Sequence, residues 1–335
     1  MTTKGLGHLH GMTGETYPPE EKGHYRRRFE WQTLGNEWRL TLTIPKSLIQ
    51  YYDARARNTR DRGPFVVDPY HEEEIAFIAD EIERLSDAEG YSKREMIEMA
   101  TAFVQQLPYT KNDVTAGMTQ YTQYPLQTLA DRGGDCEGAS ILLAAILREM
   151  DYGCVLLGLF DAGHMALGVK GASDLPGTYY EYGGNRYYYL ETTDPSWDLG
   201  EVPPSVQDTT AEVQPVVPRP TLVYGWGTSV ETGGEVTVSA AIRNVGDARA
   251  EDLSFYAALE DEGNASTRTE RRTSTRSMPT RERPRRSRYI PQKRNGFVCP
   301  RQFSLTTTST ISTGASGVVR SDGGPLRSRS GSRRW

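Results

Sequence analysis

GDCEGASILLAAILREMDYG, residues 134–153, opens in a glycine-rich polar loop and runs into unbroken apolar sequence from Ile141 to Leu147. The pattern predicts a helix from about Cys136 to Met150, ended near Gly153. Such a helix is apolar almost all round, so other elements have to surround it. Upstream, residues 70–89 (YHEEEIAFIADEIERLSDAE) carry Ile75, Ile78, Ile82 and Leu85 at helical spacing, with charges opposite. Residues 92–107 (SKREMIEMATAFVQQL) predict another helix, with Ser92 and Glu95 as a capping box and Pro108 just past its end. Farther upstream, FEWQTLGNEWRLTLTIP (29–45) alternates as strands do. Downstream, CVLLGLF (154–160), HMALGVK (164–170) and YYYLETT (187–193) read as strands. A helical half followed by an antiparallel sheet predicts an α+β fold.

Composition divides the chain further. Residues 1–28 are polar and rich in Gly and His, which predicts a disordered N-terminal segment. The α+β domain spans 29–204. Residues 205–220 (SVQDTTAEVQPVVPRP) read as a Pro-rich linker. In 221–263, GEVTVSAAIRNVGDARAEDLSFYAAL alternates between turn signals and reads as a partial β-sandwich, resembling adhesion-type modules appended to surface proteins. A full sandwich needs about 100 residues, but the alternation stops near Asn264. Residues 264–335 are Arg/Ser/Thr-rich without periodicity, a composition that predicts a disordered tail. A basic anion-binding tail, an inert tail and a shifted reading frame that cuts the sandwich short all fit the abrupt change.

The net charge of −5 hides a split. Residues 264–335 hold 17 of the 39 Lys+Arg and only 3 of the 44 Asp+Glu. The body is strongly acidic, with six lysines in 1–263. An acidic, lysine-poor surface stays hydrated in concentrated salt, so a salt-loving source is expected. The same acidity argues against nucleic acid as the body's partner. No apolar run is long enough for a membrane-spanning helix, and residues 1–30 lack an apolar signal core. The expected location is the cytoplasm, with surface association left open.

Cys136 stands where the loop enters the buried helix. Amides and dipole at a helix N-terminus stabilise an anion, so a thiol there ionises more readily than a free one. A thiolate nucleophile needs a base and a group to orient that base. His164 opens a strand 28 residues later, in DAGHMALGV, while His8, His10, His24 and His71 lie upstream. The next strand ends YYYLETTDPSW and offers Glu191 and Asp194 as the orienting acid. If the two strands pair, Glu191 can approach His164. Cys154, in an apolar strand, reads as core, and Cys299 falls in the tail without a role. Cys136, His164 and Glu191 are also residue types that ligate zinc, but no C-x-x-C or H-x-x-x-H pair accompanies them. No calcium loop and no cofactor motif is present, so no cofactor and no metal is expected.

Three blocks, YPLQTLADRGGDCEGASILLAAILREM, GHMALGVK and YYYLETTDPSWDLGEVP, closely resemble archaeal and bacterial transglutaminase-like domains, a branch of the papain-like cysteine fold. The resemblance covers about 29–204. It implies Cys136 as nucleophile, His164 as general base and acid, and a strand-borne acid as third member. Aligning Thr193 with the family's threonine puts Glu191 where the family has Asp. That is a departure, and it keeps Asp194 as second candidate. The papain-like glutamine six residues before the nucleophile does not carry over, because position 130 is Ala130. The Cys136 backbone N–H is the natural oxyanion donor, with Gln123, Tyr124 and Gln127 as sources of a second. Asp135 and Glu137 either satisfy amides of the first helical turn or shape access to the thiol.

The expected activity is thiol-dependent acyl transfer on a peptide or carboxamide, with protein or peptide as substrate. Water as acceptor gives a protease or amidase, an amine gives transglutamination, and hydrolysis is favoured by family analogy. The alternative is a catalytically inactive protein-binding or surface-associated module on the same scaffold.

Overall fold

The computed structural model describes residues 23–55, 57, 60–110, 121–173, 175–230, 235–251, 254–257, 270–273 and 305–312. The chain forms two compact units, one of Pro19–Val217 and the other containing Pro218–Trp335.

The first unit is built around the apolar helix. A hairpin leads in: β1 (His24–Thr33) pairs antiparallel with β2 (Asn36–Pro45), placing Trp31 opposite Trp38 and Phe29 opposite Leu40. The turn at Leu34 and Gly35 takes positive φ at both positions, as a two-residue hairpin requires. Five helices follow: α1 (Lys46–Ala54), α2 (Gly63–Val66), α3 (Glu72–Glu89), α4 (Lys93–Gln105) and α5 (Pro125–Asp131). In α3 the inward residues are Ile75, Ile78 and Ile82, all buried, with Leu85 packed beside them. The capping box at α4 is present in both directions, Glu95 N–H to Ser92 Oγ at 3.4 Å and Ser92 N–H to Glu95 Oε2 at 2.7 Å.

Helix α6 (Cys136–Glu149) is buried from Gly138 to Leu147. It packs against α2, α3, α4 and α5 and against β3 (Cys154–Leu159) and β4 (His164–Gly171). Helices and sheet together cover its whole circumference, which is why its sequence shows no polar face. Phe103 of α4 extends this core to the hairpin, standing edge-on to Phe29 and Trp31 at 5.5 and 5.1 Å between ring centroids.

The sheet adds β5 (Tyr179–Tyr182), β6 (Asn185–Leu190) and β7 (Glu212–Pro215) in the order β5-β6-β4-β3-β7, antiparallel throughout. The fold is therefore α+β. Among the described residues no helix is long and apolar enough to cross a membrane.

Two expected boundaries move. β1 begins at His24, inside the segment expected to be disordered. The alternation there is carried by arginines: Arg26 and Arg28 face solvent, while half-buried Arg27 covers the Tyr25 ring and donates from Nε to Ala130 O at 2.7 Å. A cation in an inward position hides a strand from a hydrophobicity reading. The second shift lies in the Pro-rich stretch expected to be a linker. Glu212–Pro215 pairs with β3 and closes its outer edge. Buried Gln214 fixes the strand, accepting from Arg62 N at 2.8 Å and donating to Arg60 O at 3.1 Å. Pro215 sits on an edge strand, the position where a missing N–H costs least.

In the second unit, β8 (Leu222–Val230) and β9 (Glu235–Asn244) form a hairpin, and β12 (Leu305–Ser312) adds to the free side of β9. A separate pair joins β10 (Ser254–Ala257) to β11 (Glu270–Thr273). Two of these strands, β11 and β12, belong to residues 264–335. LTTTSTIS carries β-branched residues at most positions, a composition suited to a strand. The rest of the expected disordered tail, including Cys299, lies outside the described residues.

Candidate active site

Cys136 is the first residue of α6 and is partly exposed. Its placement is set by the loop before it. Gly133 N–H donates to Thr128 O at 3.0 Å and Gly134 N–H to Pro108 O at 3.3 Å. A Cβ on Gly133 would stand 2.4 Å from Pro108 O, so only glycine lets this loop lie against the end of the 92–108 segment. Asp135 caps the helix, its Oδ1 accepting from Gly138 N–H at 2.8 Å. Glu137 pairs with Arg62 at 2.5 Å, with both side chains largely buried. Glu137 is therefore a structural ion partner of the 60–63 loop.

His164 starts β4 after a turn of 3-10 helix, Phe160–Ala162, and Gly163 with φ +60. Its Nε2 lies 3.0 Å from Glu191 Oε2. Glu191, 2% exposed, follows the last residue of β6. The same oxygen accepts from Tyr189 OH at 2.8 Å. The other oxygen accepts from Thr192 N–H at 3.0 Å, Thr193 N–H at 3.0 Å and Thr193 Oγ1 at 2.7 Å. Gln105, the last residue of α4, anchors the loop backbone by donating to Glu191 O at 2.9 Å and Asp194 O at 3.1 Å.

These contacts set the charge state. Burial by itself would raise the Glu191 pKa, but His164, Thr193 and Tyr189 outweigh it and hold the carboxyl at about 2. Burial would lower the His164 pKa, but hydrogen bonding to Cys136 and Glu191, and their charges, push it up to about 9. An ionised carboxylate only accepts, so Nε2 carries the proton given to Glu191. Nδ1 is left for the Cys136 side. Tyr189 is held protonated by burial and by the Glu191 charge.

The other expected residues are placed as follows. Asp194 is exposed and turned into the following loop, its Oδ1 accepting from Ser196 N–H at 2.9 Å. It does not orient His164; the acid on the ring is Glu191. Gln127 spends its amide on Asp53 Oδ1 and Tyr121 OH, and its oxygen on Tyr124 N–H and Arg57. Gln123 donates to Asp131 Oδ2 at 2.9 Å, and the Tyr124 ring stacks on Tyr52 at 4.2 Å. Gln127 and Tyr124 hold the 121–131 segment against α1 and its flank, while Gln123 ties the segment to itself. Cys154 is buried, its thiol pushed up to about 12 by burial, and it donates weakly to Ala144 O at 3.6 Å. Among the described residues, no group of three or more His, Cys, Asp and Glu side chains is arranged to hold a metal ion.

Sequence reasoning used Thr193 only to align the motif, and it missed Tyr189, Thr192 and Ser140 as neighbours of the site. Strand periodicity could have found Tyr189, because residues i and i+2 share a face. Ser140 was visible as a lone hydroxyl just ahead of the apolar run of α6. No family model matches this chain, and no curated protein matches it either.

Proposed function

We propose that the chain is a thiol-dependent acyl-transfer enzyme acting on peptide or carboxamide bonds, built on a transglutaminase-like variant of the papain-like arrangement. The observation that carries this reading is the 3.0 Å bond from His164 Nε2 to the buried Glu191 carboxylate, with Cys136 at a helix N-terminus acting on the same ring. A carboxylate that holds one imidazole nitrogen fixes both the tautomer and the ring plane.

In this mechanism the Cys136 proton already rests on His164 Nδ1, as the raised imidazole pKa favours, and the thiolate sulfur attacks the carbonyl carbon. The oxyanion forms at the start of α6, where the Cys136 N–H and the helix dipole stabilise it. His164 returns its proton to the leaving amine, the C–N bond breaks, and a thioester remains on Cys136. Water, giving a proton to His164, attacks the thioester and releases the acid and the thiol. An amine acceptor in place of water would make an amide instead. Hydrolysis is the preferred outcome, with a protein or peptide as substrate.

Iodoacetamide alkylation of each cysteine, followed by mass spectrometry, tests the reading without a known substrate. Cys136 should label far faster than Cys154. His164→Ala and Glu191→Gln should each slow Cys136 by about tenfold or more, whereas Asp194→Asn should leave it unchanged. Equal rates in wild type and His164→Ala would overturn the proposal and favour a binding module on the same scaffold.

A further inference from the structure

Strands β4 and β6 part at the site. Their ladder ends at Leu167 opposite Leu190. Continued in register it would bring Met165 opposite Thr192 and His164 opposite Thr193, but the chain turns away after Leu190. A hydroxyl from α6 occupies this fork. Ser140 Oγ donates to Met165 O at 3.2 Å and lies 2.9 Å from Thr192 Oγ1. Both side chains are 0% exposed. A serine hydroxyl has one proton. With that proton on Met165 O, Thr192 must donate to Ser140, so the direction of both bonds is fixed.

The three residues joined here are each next to, or one helical turn from, a member of the proposed triad. Ser140 is one turn after Cys136 on α6, a spacing that keeps them on one face. Met165 follows His164. Thr192 follows Glu191 and donates its backbone N–H to the Glu191 carboxylate at 3.0 Å. The hydroxyl also costs α6 something. Alanine is the better helix former at such a position, and a buried hydroxyl without partners is unfavourable. A serine at this position makes sense if its bonds hold the elements in register.

We propose that Ser140 and Thr192 form a buried hydroxyl clasp that positions His164 and Glu191 relative to Cys136. They are positioning residues and touch no reacting atom. The inference rests on the cysteine–histidine reading above, and its test separates the two.

The test measures Cys136 alkylation across about pH 5 to about pH 10 in wild type, Ser140→Ala, Thr192→Val, Thr192→Ser and His164→Ala. The imidazole NMR signals of His164 are titrated in parallel. Ser140→Ala and Thr192→Val should each slow alkylation by about tenfold. Each should also move the His164 midpoint down from about 9 toward 6.5. Thr192→Ser, which keeps the hydroxyl, should restore both. A merely structural loss would lower the melting temperature without moving the His164 midpoint. Wild-type rates and midpoints in Ser140→Ala and Thr192→Val, with His164→Ala slow, would overturn the clasp and leave the cysteine–histidine reading standing. Wild-type rates in His164→Ala would overturn that reading and the clasp with it. The two hydroxyls are removed separately, so a folding failure in one variant leaves the other to decide.

Discussion

Tyr189 and His164 share one acceptor: the Tyr189 hydroxyl reaches Glu191 Oε2 at 2.8 Å and His164 Nε2 reaches it at 3.0 Å. The opposite oxygen is taken by Thr192 and Thr193. A carboxylate with donors on both oxygens has little rotational freedom, so the imidazole bonded to it is held as well. Tyr189→Phe keeps the ring packing and removes one donor to a charged group. The expected cost is about 1.5–3 kcal/mol of folding stability, read from urea denaturation midpoints. The Glu191 pKa should rise, because a contact that favours its ionised form is gone.

The His164–Glu191 pair makes stability depend on pH in a definite direction. Glu191 is lowered to about 2 from 4.5, so its share is present above 4.5 and is lost as pH falls through about 2. His164 is raised to about 9 from 6.5, so its share is present below 6.5 and is lost as pH rises through about 9. The stability difference between wild type and Glu191→Gln should therefore be largest between 4.5 and 6.5 and shrink on both sides. Denaturation midpoints of both proteins across this range check it. A difference that grows from neutral pH to about pH 9 would contradict the assigned pair.

Much of the architecture was legible because burial imposes a period. Helix α6 announced itself by having no polar face, and α3 by Ile75, Ile78 and Ile82 recurring on one side. The strands carrying His164 and Glu191 were visible as apolar runs. What escaped had its inward positions filled by polar groups with long-range partners: Arg27 in β1, bonded to Ala130 O, and Gln214 in β7, bonded across to residues 60 and 62. Order along the chain singled out Cys136 and His164 and left Glu191 and Asp194 as the candidate acids. Choosing Glu191 over Asp194 needed the turn after β6, where Asp194 is spent on Ser196 N–H. The donors around Glu191 come from its immediate neighbours, but which oxygen each one reaches is a property of that turn.

Arg62 and Glu137 form a mostly buried ion pair beside the nucleophile, at 2.5 Å. Such a pair is weak support for stability as a whole, but removing one partner strands the other charge out of water. Arg62→Met and Glu137→Gln should each destabilise by about 3 kcal/mol. The double variant should cost clearly less than the two losses combined, and a double-mutant cycle by urea denaturation measures the difference. Additive losses would mean that the two side chains act independently.

The first unit's sheet gains its fifth strand from sequence that reads as a linker. β3 is buried along its whole length, and β7 covers the edge that β4 leaves open. Removing β7 would expose that edge, strip Arg62 N–H and Arg60 O of their Gln214 partner, and uncover the apolar side chains packed against Val213 and Val216. A chain ending at Val217 should therefore fold, and one ending at Thr210 should lose on the order of 3 kcal/mol. For a unit of this size that loss lowers the melting temperature by about 6–12 °C. The exposed edge of β3 is also a template for pairing with another chain, so the shorter protein should associate more strongly than the longer one at equal concentration. Paired thermal melts and sedimentation of the two lengths decide the matter. Identical melting curves would return 205–217 to the status of a linker.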